Sequence, residues 1–169
     1  GRGLLCEHTS EQLDMLDAGK NQSGFTGEPL PRLSAVFDLL KARDLGLNLE
    51  IKPRSGLEEP TVAAICQMVE SHWPKHLPLV FSSFSRRSLE IAKNRLPDVA
   101  RGLLVGALPK DWESLLELYE CRNLHCDAAQ LTATQTRQLR DLDIGVYCFT
   151  VNDTDKAQAL LDSGVHGVF

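Results

Sequence analysis

From about residue 33 to the end of the chain, stretches with helical spacing of apolar residues alternate with short runs of consecutive apolar residues. Stretches with apolar residues three and four positions apart predict amphipathic helices, and the short apolar runs between them predict buried strands. The first such helix covers Leu33–Arg43, and Gly46 separates it from the strand that follows. The predicted strands are residues 47–52, 79–84, 102–105, 123–127, 144–151 and 165–169. Each of these six strands follows a predicted helix.

Capping residues mark the starts of several helices. Ser85 and Asp111 each precede a helical stretch, and Thr132 is followed three residues later by Gln135, as in a capping box. Either Asn152 or Asp153 caps the last helix, residues 156–161. The second helix of the series is predicted at residues 61–72.

Regular alternation of strands and helices with short links predicts a parallel sheet, either an open doubly wound sheet or a closed barrel. No GxGxxG or GxxxxGK[ST] stretch follows any strand, which disfavours the open, dinucleotide-binding type. A complete barrel takes about 250 residues and each βα unit takes roughly 30. A chain of 169 residues therefore matches an α/β protein of the (β/α)8 TIM-type barrel class, with six of the eight strands present.

Residues 1–32 do not follow the alternation. They predict a short helix after Thr9 or Ser10 that ends at Gly19, and then a loop rich in Gly, Ser, Asn and Pro. We interpret this segment as an insertion on the barrel rim of a single domain, residues 1–169, whose βα units occupy residues 33–169. Because the chain starts at Gly1 and stops within an apolar run at Phe169, we expect it to be part of a longer protein.

Composition narrows the class of protein and of partner. A hydrophobic content of 43% and a charged content of 24% are ordinary for a globular domain. A net charge of −5 argues against nucleic acid as a partner, and no apolar run reaches the length of a membrane span. The five cysteines form no CxxC pair, so we expect buried thiols in a reducing, cytoplasmic compartment rather than disulfides or a zinc site. The sequence leaves open whether the protein is an oligomer.

The strand Asn48-Leu49-Glu50-Ile51-Lys52-Pro53 carries the chemistry that the sequence suggests first. Side chains alternate along a strand, so Asn48, Glu50 and Lys52 share one face, and Pro53 ends the ladder. Ligands of α/β proteins bind at the carboxyl ends of parallel strands. A carboxylate beside an ammonium there can hold a cation and an anion. The alternative is a Glu–Lys ion pair with a structural role only.

Motifs spread along the whole chain resemble the glycerophosphodiester phosphodiesterases, above all the bacterial cytoplasmic type. The matching stretches are Gly1-Arg2-Gly3, Glu11-Gln12-Leu13, Leu16-Asp17-Ala18-Gly19, Gly27-Glu28-Pro29-Leu30-Pro31, Asn48 to Pro53, Phe81-Ser82-Ser83-Phe84, Gly102-Leu103-Leu104, Thr150-Val151-Asn152 and Leu160 to Val168. The resemblance implies a (β/α)8 barrel with an inserted segment after its second strand.

Members of the family also carry pieces that precede the position of Gly1. These are a strand with His-Arg-Gly, a strand with Glu and Asp metal ligands, and a His-Asp pair. The two histidines that members use as acid and base are therefore not assigned to any histidine of this chain.

The resemblance assigns roles to three residues of this chain, and strand alternation nominates a fourth, His125. It makes Glu50 a ligand of a divalent cation, Mg²⁺ or Ca²⁺, and Lys52 a contact of the substrate phosphate; hard cations take carboxylate oxygens. Phe149 lies where many members have tryptophan, so it either covers the glycerol moiety or belongs to the barrel core. His125 shares a strand face with Asn123 and is either a substrate contact or a polar residue satisfied within the protein.

Two functions follow as expectations. The first is metal-dependent hydrolysis of glycerophosphodiesters, such as glycerophosphocholine, to sn-glycerol 3-phosphate and an alcohol. The second is a non-catalytic module that binds phosphate or regulates, because this chain carries the phosphate contacts without the family's histidines. On the enzyme hypothesis, we expect the 169-residue piece alone to be inactive.

Overall fold

A computed structural model describes residues 3–169 of the chain. Gly1 and Arg2, which belong to the first matching stretch, lie outside the described residues. The described residues form two compact units, one that extends to Arg43 and one from Asp44 to Phe169. The prediction of a single domain with a rim insertion stays a prediction.

The first unit contains a 3₁₀ turn at Leu5–Glu7 and the helices α1, Ser10–Asp14, and α2, Leu33–Ala42. Thr9 caps α1 through a reciprocal capping box with Gln12. The helix is shorter than predicted, because the chain turns after it into a loop. Asp17 holds that loop by accepting hydrogen bonds from the backbone N–H groups of Gly19 and Gly27. Gly19 cannot be replaced by a larger residue, since a Cβ there would lie 1.6 Å from the carbonyl oxygen of Phe25.

The second unit contains six parallel strands that lie side by side in chain order, as predicted. They are β1 Leu47–Glu50, β2 Leu79–Ser83, β3 Ala100–Val105, β4 Asn123–Asp127, β5 Gly145–Phe149 and β6 Gly167–Val168. The connecting helices are α3 Glu58–His72, α4 Arg86–Arg95, α5 Trp112–Leu118, α6 Ala133–Asp141 and α7 Thr154–Asp162.

The helix caps agree with the sequence except at one position. Ser85 accepts the N–H of Ser88, and Thr132 forms the predicted capping box with Gln135. Of the two candidates for α7, Asp153 is the cap, because its carboxylate accepts the N–H of Lys156. Asp111 precedes α5, but its side chain makes no capping hydrogen bond.

Several element boundaries differ from the predicted ones for local reasons. Helix α3 starts at Glu58, three residues early, since Pro60 is tolerated within a first helical turn. Strand β1 ends at Glu50 rather than Lys52, although the N–H of Ile51 still donates to the carbonyl of Ser82. Strand β5 starts after Ile144, whose N–H donates to Leu139 at the end of α6.

The face of the sheet that packs against the helices is apolar. Leu103, Leu124 and Val146 are partners across β3, β4 and β5, and they form a buried cluster with helix residues such as Leu115 and Leu139. Four of the five cysteines are buried free thiols, as expected, whereas Cys6 is exposed. No helix among residues 3–169 is long and apolar enough to cross a membrane.

The opposite face of the sheet encloses a cavity, which requires the sheet to curl. Asn48 of β1 and Phe169, which follows β6, line the same cavity of about 290 Å³. In a flat sheet with about 4.8 Å between strands, two residues five strands apart would be separated by roughly 24 Å. The six strands therefore form part of a TIM-type barrel, and the two further strands of a complete barrel remain an expectation.

Candidate functional site

The cavity at the carboxyl ends of the strands brings together all four residues that the sequence nominated. Glu50, Lys52, His125 and Phe149 line it, with Asn48, Leu104, Thr150, Phe84 and Phe169. Strand register explains this convergence, because residues of the same parity on neighbouring parallel strands point to the same side. Ligands of parallel α/β sheets bind at this end, so the cavity is the candidate active site.

Glu50 and Lys52 form an ion pair at the mouth of the cavity, with 3.2 Å between Nζ and Oε2. The Lys52 side chain is 75% exposed, and a pair this open to solvent adds little stability. Its ammonium group is therefore accessible to an anionic ligand in the cavity.

The second carboxylate oxygen of Glu50 distinguishes this pair from an ordinary surface salt bridge. Oε1 is buried and has no hydrogen-bond partner among residues 3–169. A buried, unpaired polar atom costs about 1–3 kcal/mol, a cost that a bound cation or donor would offset. Glu50 thus fits a hard divalent cation, whose preferred ligands are carboxylate oxygens.

Residues 3–169 contain no group of three or more His, Cys, Asp or Glu that could hold a metal ion. A cation bound at Glu50 would therefore find no set of three such ligands within this part of the chain. A cation held there would need further ligands beyond those that the described residues place together.

His125 lies deeper in the cavity and is 2% exposed. Its ring contacts those of Tyr147 and Phe169, with centroids 5.2 and 5.1 Å away. Burial lowers the pKa of His125 to about 4, so the imidazole is neutral at pH 7. Nδ1 is also buried without a partner among the described residues. The ring is consequently a neutral group that lines the cavity, and not a cation.

Glycines on the cavity face make room for these rings. A Cβ at Gly102 of β3 would lie 2.7 Å from Nε2 of His125, and one at Gly167 of β6 would lie 3.0 Å from the Tyr147 ring. Both glycines face the neighbouring strand's aromatic side chain directly. The absence of their side chains therefore decides how far the two rings reach across the sheet.

Two phenylalanines stand at the outer edge of the cavity. Phe149, at the end of β5, is half-buried, and its ring meets that of Phe84 edge to face, with centroids 5.8 Å apart. Phe84, just after β2, is 52% exposed. An aromatic pair at a cavity mouth offers an apolar surface to a ligand.

The other histidines of the chain have local roles outside this cavity. Nδ1 of His166 accepts the backbone N–H of Val146, which fixes the tautomer of the neutral ring. The rings of His8 and His72 each lie within hydrogen-bond distance of a backbone carbonyl four residues earlier. His76 lies 4.0 Å from Asp44 on the surface.

A sequence model of the Glycerophosphoryl diester phosphodiesterase family matches residues 1–169, the whole chain. The chain belongs to this family. Its relatives include a glycerophosphodiester phosphodiesterase of Caldanaerobacter subterraneus, which is 28% identical over 174 residues, covering 99% of this chain and 69% of that protein.

Solved structures of family members agree with the fold. An Oleispira antarctica phosphodiesterase in complex with the product sn-glycerol-3-phosphate is 36% identical, with a TM-score of 0.96 over 100% of this chain and 69% of that one. A glycerophosphodiester phosphodiesterase of Agrobacterium tumefaciens is 20% identical, with a TM-score of 0.73 over 99% of this chain and 70% of that one. The second likeness concerns the fold alone.

Sequence reasoning did not nominate every residue that lines the cavity or that lies on the same side of the sheet. Phe84 and Phe169 were assigned only to strand ends, and Asn48 only to a strand face. Ser82 is the Cα partner of Glu50 and is fully buried, yet sequence alone left open which of Ser82 and Ser83 faces inward. The alternation that nominated Glu50 would have found Ser82 once the register between β1 and β2 was known.

Proposed function

We propose that this protein hydrolyses glycerophosphodiesters, such as glycerophosphocholine, to sn-glycerol 3-phosphate and the head-group alcohol. Water adds to phosphorus, the bond from phosphorus to the alcohol oxygen breaks, and the alcohol leaves with a proton. The observation that carries the proposal is the Glu50–Lys52 pair, whose buried free oxygen and exposed ammonium face one cavity in a chain of this family.

Glu50 is proposed to hold a divalent cation, Mg²⁺ or Ca²⁺, through Oε1. When bound, such a cation stabilises negative charge on a phosphoryl group. Lys52 is proposed to contact a phosphate oxygen with its ammonium group and to stabilise the same charge from another position. The exposure of Lys52 supports this role, because its contact with Glu50 leaves further N–H donors available.

Phe149 is proposed to cover the glycerol moiety together with Phe84. The edge-to-face contact of the two rings supports this, since it holds Phe149 at the cavity mouth. His125 is proposed to contact the substrate as a neutral donor or acceptor. Its depressed pKa and its position beneath Phe169 argue against a general base that becomes charged during the reaction.

The alternative function is a phosphate-binding or regulatory module without catalysis. It is favoured by one observation: the single histidine that lines the cavity within residues 3–169 is buried and neutral. The predicted cytoplasmic location and the predicted absence of nucleic-acid partners stay proposals on either function.

The decisive experiment measures release of glycerol 3-phosphate from glycerophosphocholine by the full-length protein, with Mg²⁺ or Ca²⁺ and with excess EDTA. We expect turnover with the metals and none after chelation. Undiminished turnover in EDTA would remove the cation from the mechanism. Binding of glycerol 3-phosphate without any turnover would favour the module.

A further inference from the structure

Packing against other rings holds the imidazole of His125, because its buried nitrogen has no hydrogen bond to fix it. Nδ1 lacks a partner among residues 3–169, and the residue is 2% exposed. Buried polar side chains usually take their orientation from hydrogen bonds. The neighbours of this ring are instead Tyr147 and Phe169, with ring centroids 5.2 and 5.1 Å away. The orientation of His125 therefore depends on these two side chains.

Strand register places the Tyr147 ring directly beside His125. The two residues are Cα partners across β4 and β5, so their side chains point to the same side of the sheet. On the β3 side, a Cβ at Gly102 would lie 2.7 Å from Nε2 of His125. The imidazole thus lies between the backbone of β3 and the phenol ring on β5.

Tyr147 is itself closely packed. A Cβ at Gly167, its Cα partner on β6, would lie 3.0 Å from the phenol ring, and one at Gly145 would lie 3.3 Å from it. The ring also contacts Phe169, with 5.9 Å between centroids. Two glycines and one aromatic ring therefore leave the phenol little freedom, so that it can support a neighbouring side chain.

Tyr147 lies behind His125 as seen from the candidate active site. Among the described residues, Tyr147 lines only a second cavity of about 200 Å³, whereas His125, Phe169 and Asn48 line both cavities. An imidazole without a hydrogen bond at Nδ1 can turn into this second cavity. The Tyr147 ring borders that space and limits the rotation.

Resting on the proposed contact between His125 and the substrate, we propose that Tyr147 is a positioning residue that keeps the His125 ring turned toward the active-site cavity. Tyr147 touches no substrate in this arrangement and acts through His125. Tyr147→Leu removes the ring and keeps an apolar side chain. It should lower kcat/KM for glycerophosphocholine by about tenfold to 10²-fold, because a displacement of about 1 Å in a contacting group costs up to that much.

A double-mutant cycle in the full-length protein distinguishes positioning from a general loss of structure. We would measure kcat/KM for the wild type, Tyr147→Leu, His125→Ala and the double variant. If Tyr147 acts through His125, the double variant should have the kcat/KM of His125→Ala, since the ring that Tyr147 positions is already absent. Losses that multiply in the double variant would mean that Tyr147 affects turnover by another route, and would overturn the inference.

Two further variants serve as controls. Tyr147→Phe keeps the ring and should keep kcat/KM near the wild-type value. Tyr119 is the other tyrosine of the chain, and it is also half-buried and packs against the apolar core. Tyr119→Leu should lower the melting temperature and leave kcat/KM near the wild-type value. An equal loss of kcat/KM in Tyr119→Leu and Tyr147→Leu would contradict a specific role of Tyr147.

The NMR signal of the His125 ring gives a readout that is independent of turnover. His125→Ala identifies this signal by its loss from the proton–carbon spectrum. Saturating glycerol 3-phosphate should shift the signal in the wild type and in Tyr147→Phe. The shift should be smaller in Tyr147→Leu, because the ring no longer stays turned toward the ligand. An equal shift in Tyr147→Leu would overturn the inference.

The outcomes separate this inference from the proposed function. A wild type without turnover contradicts the proposed function, and the NMR titration then still decides whether Tyr147 positions the ring. A wild type that hydrolyses the substrate, together with unchanged kcat/KM in His125→Ala, contradicts the contact of His125 and this inference with it, but not hydrolysis.

Discussion

Replacing Lys52 by alanine should separate a structural role of this side chain from a role in turnover. The ammonium group lies 3.2 Å from Glu50, and the side chain is 75% exposed. Exposed ion pairs contribute about 0–1 kcal/mol to stability, so the free energy of unfolding should change by no more than that. The loss of one preorganised charge contact in a transition state costs about 3–4 kcal/mol. Turnover should therefore fall roughly 10²-fold or more.

The assay measures kcat for glycerol 3-phosphate release and, in parallel, the free energy of unfolding in urea. Lys75→Ala is a suitable control, because Lys75 is an exposed lysine that does not line the cavity. Added metal should not rescue Lys52→Ala, since the cation and the ammonium act from different positions. A variant that unfolds more easily yet keeps near-normal kcat would refute the phosphate contact and leave a structural ion pair.

Three further predictions concern the cavity and the core. Glu50→Gln should lower activity sharply, and high metal concentration should restore part of that activity. A titration of kcat with metal measures this, and no recovery would argue against a cation at Glu50. Because burial lowers the pKa of His125 to about 4 from an ordinary value near 6.5, its protonation favours the unfolded state. The free energy of unfolding therefore keeps this contribution above pH 6.5 and loses about 3 kcal/mol in total as the pH falls toward 4. Urea unfolding measured across this range should show a smaller dependence of that free energy on pH for His125→Phe than for the wild type. Arg101→Leu should destabilise the protein by about 3 kcal/mol or more, since the buried guanidinium donates to the carbonyls of Pro97, Val99 and Tyr119, which would lose this donor. An unchanged urea midpoint would contradict this.

Elements whose ends depend on neighbouring residues were predicted well. Strand β4 has the predicted bounds, and the capping box of Thr132 and Gln135 is formed as expected, because both depend on residues only a few positions apart. Predictions of strand length were less accurate at β6, which spans Gly167–Val168 rather than residues 165–169. The N–H of Val165 instead donates to Leu160 at the end of α7, a competition that apolar pattern alone does not reveal.

The nomination of Glu50 and Lys52 followed from side-chain alternation, which is a local property of one strand. Which other side chains line the same cavity does not follow from the residues close to Glu50 and Lys52 in sequence. Phe84 meets Phe149 across strands that are distant in sequence, and Phe169 reaches His125 because the sheet curls. Such contacts depend on register and curvature, and a single sequence specifies neither directly.

The sequence by itself therefore determined the alternation of strands and helices, the parallel α/β class and the two residues whose charges suggest phosphate chemistry. These depend on periodicity, on capping and on motifs carried by short stretches. The tertiary structure alone decided that Ser82 faces the same side as Glu50, that Gly102 gives room to the His125 ring, and that three unpaired polar atoms belong to one face of the sheet. The physical reason is that burial and hydrogen-bond satisfaction are properties of packed neighbours, which only the folded chain brings together.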